Sequence, residues 1–271
     1  MGMYAQSDLA CEFFGRVEKA PAGVFMRNEQ IGGIAVACLK ITTESAAEKI
    51  GRPIGTYVTF RGNALHLLSE MDEEGLTRLL IGELRGMAGQ LTEKRLDRAF
   101  SVLVVGLGND ELTSDAIGPW TVRRLHATRH LQIETPDLYR DLNCCALSVT
   151  VPGVLGKTGI ETVEVIKGTV ASVKPDLVIL IDALAARSCE HLSSTVQISN
   201  VGICPGSGVG NHRAAIDRQS LGVPVISVGI PTVVRSSTLV YDALRKAGIL
   251  EPPSALVQVL ENGENFFVSP K

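Results

Sequence analysis

Two short apolar runs constrain this chain more than any other feature. Val102–Leu107 (Val-Leu-Val-Val-Gly-Leu) and Leu177–Ile181 (Leu-Val-Ile-Leu-Ile) show no alternation of apolar and polar residues. Runs this short, with β-branched residues throughout, read as strands covered on both faces. From residue 101 onward such strands alternate with helical patterns. The spacing predicts helices over 115–130, 160–173 and 232–246, with the second stopped by Lys174-Pro175. It predicts further strands over 146–151, 195–198 and 223–228. That rhythm points to an α/β fold, with helices on both faces of a mostly parallel sheet.

The first hundred residues behave differently. Residues 1–30 lack periodicity and carry Pro21, Gly23 and Asn28, which predicts an irregular, detachable arm. Residues 31–91 read as an integrated strand and helix region. It holds a strand at 31–41, a helix from Thr43 to Ile50 stopped by Gly51, and a strand at Thr56–Arg61. A helix follows from Asp72 or Glu73 to Leu91, with a stripe of Leu76, Leu79, Leu80, Leu84, Met87 and Leu91. With 271 residues, 45% of them apolar, the whole chain is expected to form a single domain, residues 1–271.

Composition closes off several function classes. A net charge of −3 argues against broad nucleic-acid binding, and no apolar run has the ~18 residues of a membrane span. Met1–Glu12 has no basic start followed by an apolar stretch, so no secretory signal is expected and the chain is expected to be cytoplasmic. The six cysteines form no CxxC pair and are expected to be buried free thiols. His126 and His130 stand four apart on a predicted helix, where exposed helix-end histidines are the expected reading; no cofactor and no metal is expected.

Chemistry concentrates after the two apolar strands. Asp115 follows the first, in Gly106-Leu-Gly-Asn-Asp-Glu-Leu-Thr-Ser-Asp-Ala-Ile-Gly-Pro119, and Asp182 directly follows the second, before Ala-Leu-Ala-Ala-Arg187. In open α/β sheets ligands bind at the carboxyl ends of parallel strands, and two acids there can share a proton and activate water. Two readings of Asp115 stand: a helix cap, with Ser114 as the alternative cap, or one of a catalytic pair. Asp182 is expected to end its strand, where an acid is costly unless paired or functional. A dinucleotide fingerprint would need a third glycine where Glu111 stands.

The most glycine-dense stretch is Gly202–His212, which contains Gly206, Ser207, Gly208, Gly210 and Asn211. It is either a long surface turn or a loop whose backbone N–H groups face a ligand or an oxyanion. His212 and Arg213 close it, and Arg187 and Arg213 are candidates to orient substrate. No GxSxG elbow surrounds Ser207, which argues against a serine nucleophile.

Gly106–Pro119, Val151–Thr162, Asp176–Arg187, Thr195–Asn211 and Gly222–Val234 together resemble the germination protease (spore endopeptidase) family almost continuously over 101–234. The resemblance implies a three-layer α/β sandwich like that of the hydrogenase-maturation peptidases. It implies an endopeptidase of endospore-forming bacteria, made as a self-processing zymogen and assembled as a tetramer in the spore core. Its substrates would be small acid-soluble spore proteins, degraded at germination. A catalytic aspartate pair assigned in that family falls on Asp115 and Asp182. Ser7-Asp-Leu-Ala-Cys-Glu-Phe13 resembles the family's substrate pattern, Thr/Ser-Glu-Phe/Ile-Ala-Ser-Glu-Phe, and its processing site. Residues 1–8 are thus expected to be a propeptide, released between Asp8 and Leu9. Cys11 stands where the pattern has serine and Asp8 where it has glutamate; the segment after Val234 is shorter than the family leads one to expect. The alternatives are a metal-dependent peptidase or amidase on the same fold, and a relative that binds without turnover.

Overall fold

A computed structural model describes residues 7–12, 20–63, 65, 68–206, 213–249, 252–262 and 266–269. In chain order the elements are β1 (Val24–Ile31), β2 (Ile34–Ile41), α1 (Glu44–Ile50), β3 (Gly55–Arg61), α2 (Glu70–Thr92), β4 (Ser101–Gly106), α3 (Ile117–Val122), α4 (Leu131–Glu134) and α5 (Pro136–Leu142). They continue with β5 (Ala146–Thr150), α6 (Leu155–Thr158), α7 (Thr162–Val173), β6 (Leu177–Ala186), β7 (Thr195–Ser199), α8 (Arg218–Leu221), β8 (Val225–Arg235), α9 (Ser236–Lys246), α10 (Ser254–Asn262) and β9 (Phe267–Val268).

The described strands form one sheet in the order β1-β2-β3-β7-β8-β6-β4-β5, with β9 added to β8. Only β5, β4, β6 and β8 run parallel to one another; the remaining pairings are antiparallel. The expectation of a mostly parallel sheet is therefore corrected to a mixed one. Short connections that turn the chain back without a crossover helix contribute to this: Gly32-Gly33 between β1 and β2, and residues 187–194 between β6 and β7.

The uninterrupted apolar run of β4 is explained by burial on both sides. Val102 and Val104 pack with Met87, Ala88 and Val122 on one face. Leu103 and Val105 pack with Val163, Ile166 and Val170 of α7 on the other. The predicted α2 stripe packs against the first of these clusters. Thr43 caps α1 through its side chain, and Gly51 ends it in the left-handed conformation, as its sequence predicts.

Several boundaries differ from the sequence reading. Part of the expected arm is strand: β1 pairs along its length with β2. The helix expected over 115–130 ends at Val122, because the chain beyond it covers the edge of β5. There Thr128 and Leu147 bond backbone to backbone at 2.9 Å, and the Thr128 hydroxyl donates to the Cys145 carbonyl at 2.7 Å. His126 and His130 are exposed but share no helix. Asp182 does not end its strand: β6 continues to Ala186 because Ala183–Ala186 pair with β8, overriding their helical preference. For the same reason β8 runs to Arg235, and the last long helix begins at Ser236 rather than Thr232. All six cysteines are free thiols, but five are only half-buried and Cys204 is exposed.

Candidate active site

The strand order places a switch point between β4 and β6. The chain leaves β4 toward β5 on one side and leaves β6 toward β8 on the other. Crevices open at the carboxyl ends of strands at such points. Here a cleft of about 570 Å³ is lined by Asp8, Asp115, Asp182, Gln197, Gly206 and Arg213, among others.

Asp115 closes a single 3-10 turn, Thr113–Asp115, after β4. Neither it nor Ser114 caps the following helix, whose N-cap is Ala116 with no side-chain bond. The Asp115 carboxylate instead accepts the Asn109 N–H at 2.8 Å, tying the turn back to the loop that leaves β4. That loop can close only because glycine stands at 108. Gly108 has φ +113°, and a Cβ there would lie 2.0 Å from the Asp115 carbonyl oxygen.

A second tie comes from β8. Pairing between β6 and β8 slips so that Leu184 faces Pro231 and Ala185 faces Val233, leaving Thr232 as an extra residue. Such bulges re-aim side chains and accommodate proline. The Thr232 hydroxyl donates to the Ser114 carbonyl at 2.6 Å, holding the turn that carries Asp115.

Asp182 is 8% exposed and lies in register with Gly229 of β8. Burial, then the charges of Asp115 and Asp8, push its carboxyl up to about 8; the Ala183 N–H, donating at 2.9 Å, offsets part of this. Burial raises Asp115 too, against the Asn109 N–H. A proton on Asp182 beside an ionised Asp115 is the pairing these environments favour. Among the described residues, no group of three or more His, Cys, Asp or Glu side chains is arranged to hold a metal ion.

Residues 7–12 lie against β6 and β7 beside this cleft, and Asp8 lines it. Asp8 bonds twice to Ala185: its N–H donates to the Ala185 carbonyl, and its carboxylate accepts the Ala185 N–H, both at 2.9 Å. Leu9 is fully buried against Leu184, Ala186 and Val234. The Glu12 carboxylate accepts the N–H groups of Arg187 at 2.9 Å and Ser188 at 3.1 Å, with His191 Nε2 3.8 Å away. The Ser7 carbonyl accepts from Arg52.

The predicted site residues thus divide. Asp8, Asp115 and Asp182 line one cleft, and Leu9 is buried beside it. Arg187 donates its backbone N–H to Glu12, with the guanidinium charge nearby. Arg213 lines the cleft with Nη1 bonded to Glu161 at 3.1 Å. Gly206 also lines it, while Ser207, Gly208, Gly210, Asn211 and His212 lie outside the described residues. The sequence reading missed Gln197 and Thr232. A buried amide within Thr-Val-Gln-Ile-Ser, and a Pro-Thr inside a strand, were the available signals.

A mixed α/β sheet with two acids and Asp8 of its own chain in one cleft is an arrangement suited to a peptide-binding hydrolase. A family model described as germination protease matches residues 7–247. The chain is 46% identical over 228 residues to the germination protease of Caldanaerobacter subterraneus subsp. tengcongensis, covering 84% of this chain and 68% of the relative. It is 39% identical over 243 residues to that of Clostridium acetobutylicum, covering 88% and 73%. It is 34% identical over 271 residues to that of Clostridium tetani, covering 98% and 80%. The chain belongs to the germination protease family and is an endopeptidase.

Proposed function

We propose that this endopeptidase acts on small acid-soluble spore proteins in the spore, and that it is made as a zymogen which cuts its own Asp8–Leu9 bond. The observation that carries this reading is the docking of residues 7–12 beside the cleft that holds Asp115 and Asp182, with Asp8 lining that cleft and Leu9 buried next to it. That segment has the spacing of the family's substrate pattern, with acids at 8 and 12 and an apolar residue at 9. Each of these three has its own binding feature: the Ala185 backbone, an apolar pocket, and the paired N–H groups of 187 and 188.

In the proposed mechanism ionised Asp115 takes a proton from water, and the resulting hydroxide adds to the Asp8 carbonyl carbon. Protonated Asp182 gives its proton to the Leu9 nitrogen as the C–N bond breaks. The products are a new carboxyl at Asp8 and a free amine at Leu9. Asp115 leaves the step protonated and Asp182 ionised, so passing one proton between them restores the starting state. Assembly as a tetramer, on the three-layer fold of the hydrogenase-maturation peptidases, completes the proposal.

The test is mass spectrometry of the purified chain at mildly acidic and neutral pH, incubated with a peptide containing Thr-Glu-Phe-Ala-Ser-Glu-Phe. Cutting after the first glutamate, with loss of residues 1–8 from the protein, is the expected result. An uncut peptide, even with a chain lacking residues 1–8, would overturn it.

A further inference from the structure

Gln197 holds the docked segment at the two consecutive peptide groups that flank Leu9. Its side-chain Nε2 donates to the Asp8 carbonyl at 3.0 Å, and its Oε1 accepts the Ala10 N–H at 2.6 Å. The assignment of the two amide atoms is fixed by their partners: an N–H can meet only the oxygen, and a carbonyl only the nitrogen. Gln197 is 8% exposed on β7, so this carboxamide has little access to water.

The sheet explains why this amide faces the acids. Gln197 is in register with Gly229 of β8, which is in register with Asp182 of β6. Residues in one row of a sheet project from the same face. Asp182 and Gln197 therefore flank Gly229 from two interstrand spacings apart, roughly 9–10 Å. Both line the cleft, and the Asp8–Leu9 segment lies over this face.

We infer that Gln197 is a catalytic residue of this endopeptidase: it polarises the carbonyl of the bond to be cut and stabilises the oxyanion that forms there. When water adds to the carbonyl carbon, negative charge gathers on the oxygen that Nε2 already touches. No proton moves to or from the amide; the hydrogen bond shortens and strengthens as the charge grows. The second contact, from Ala10 to Oε1, prevents the amide from turning and sets the register of the chain. The glycine-dense loop that the sequence offers for this task is not needed for this donor.

This inference rests on Asp8–Leu9 being the bond cut, so the experiment reads the two separately. Wild-type, Gln197→Glu and Gln197→Ala chains are compared for self-processing by mass spectrometry and for kcat and KM on the substrate peptide. Circular dichroism and Tm check the fold. Gln197→Glu keeps the acceptor for Ala10 but places an oxygen against the carbonyl. Its kcat should fall roughly 10²–10³-fold at neutral pH, the usual loss for one oxyanion donor, with a much smaller change in KM. The deficit relative to wild type should shrink as pH falls and the new carboxyl gains a proton to donate; a packing role would not give this pH-dependent rescue. A folded Gln197→Glu with wild-type kcat, or a loss confined to KM, would overturn the inference while leaving the cleavage site standing. A wild-type chain that cuts neither itself nor the peptide at the equivalent bond would overturn both.

Discussion

Asp115 and Asp182 are both aspartates after apolar strands, yet their surroundings separate them. Asp182 is buried within β6 and faces two other carboxylates, while Asp115 accepts an N–H from its own loop. The proposed division of labour follows: the more strongly raised acid keeps its proton, and the other takes one from water. Asp115→Asn and Asp182→Asn should each lower kcat by at least roughly 10³-fold, measured on the substrate peptide with folding checked by circular dichroism. Full activity in either would remove that residue from the mechanism. The wild-type rate should also fall as pH rises through about 8, where Asp182 loses its proton. A pH–rate profile flat from 7 to 10 would contradict the assignment. Both residues stood out in the sequence because each comes after a recognisable apolar run. Gln197 was not, since a lone amide in a short strand has no meaning until its neighbours across the sheet are known.

The elements that carry these residues are shaped by contacts remote in sequence. Strand β6 outlasts its apolar run because β8 lies beside it, so Asp182 sits within a strand and Ala185 is placed to bind the arm. The bulge at Thr232 then reaches back to the turn that carries Asp115. Gly108 belongs to the same construction. In Gly108→Ala the new Cβ would strike the Asp115 carbonyl, and the positive φ would add strain, together costing about 1–3 kcal/mol. Thermal melts should show a lowered Tm, and kcat should fall as Asp115 is displaced. An unchanged Tm with unchanged kcat would mean that the loop is free to move. The helical patterns of α1, α2 and α7 were readable because each has a single apolar face or a clear cap. The helix expected over 115–130 was not, because bonds to the edge of β5 compete with it.

For the molecule as a whole, the cost of the site appears as a dependence of stability on pH. Asp182 has a folded-state pKa above its unfolded value, so the fold binds more protons between those values. The stability tied to that proton is complete below the ordinary carboxylate range and is lost as pH rises toward about 8. Asp182→Asn cannot ionise. Its advantage over wild type in denaturant titrations should grow from pH 4 to 8, reaching roughly a few kcal/mol, and then level off. A constant difference across that range would mean that Asp182 ionises in the fold at its ordinary pKa. The amino-acid sequence by itself determined the α/β class, the apolar runs with the acids that come after them, and the substrate-like pattern in residues 7–12. These are local: they follow from apolar runs, caps and motif spacing. Only the tertiary structure decided that the sheet is mixed, that residues 7–12 dock with Asp8 in the cleft, and that Asp182, Gly229 and Gln197 form one row. Those facts depend on which strands become neighbours, and strand pairing is chosen by packing between distant segments, which short-range patterns do not encode.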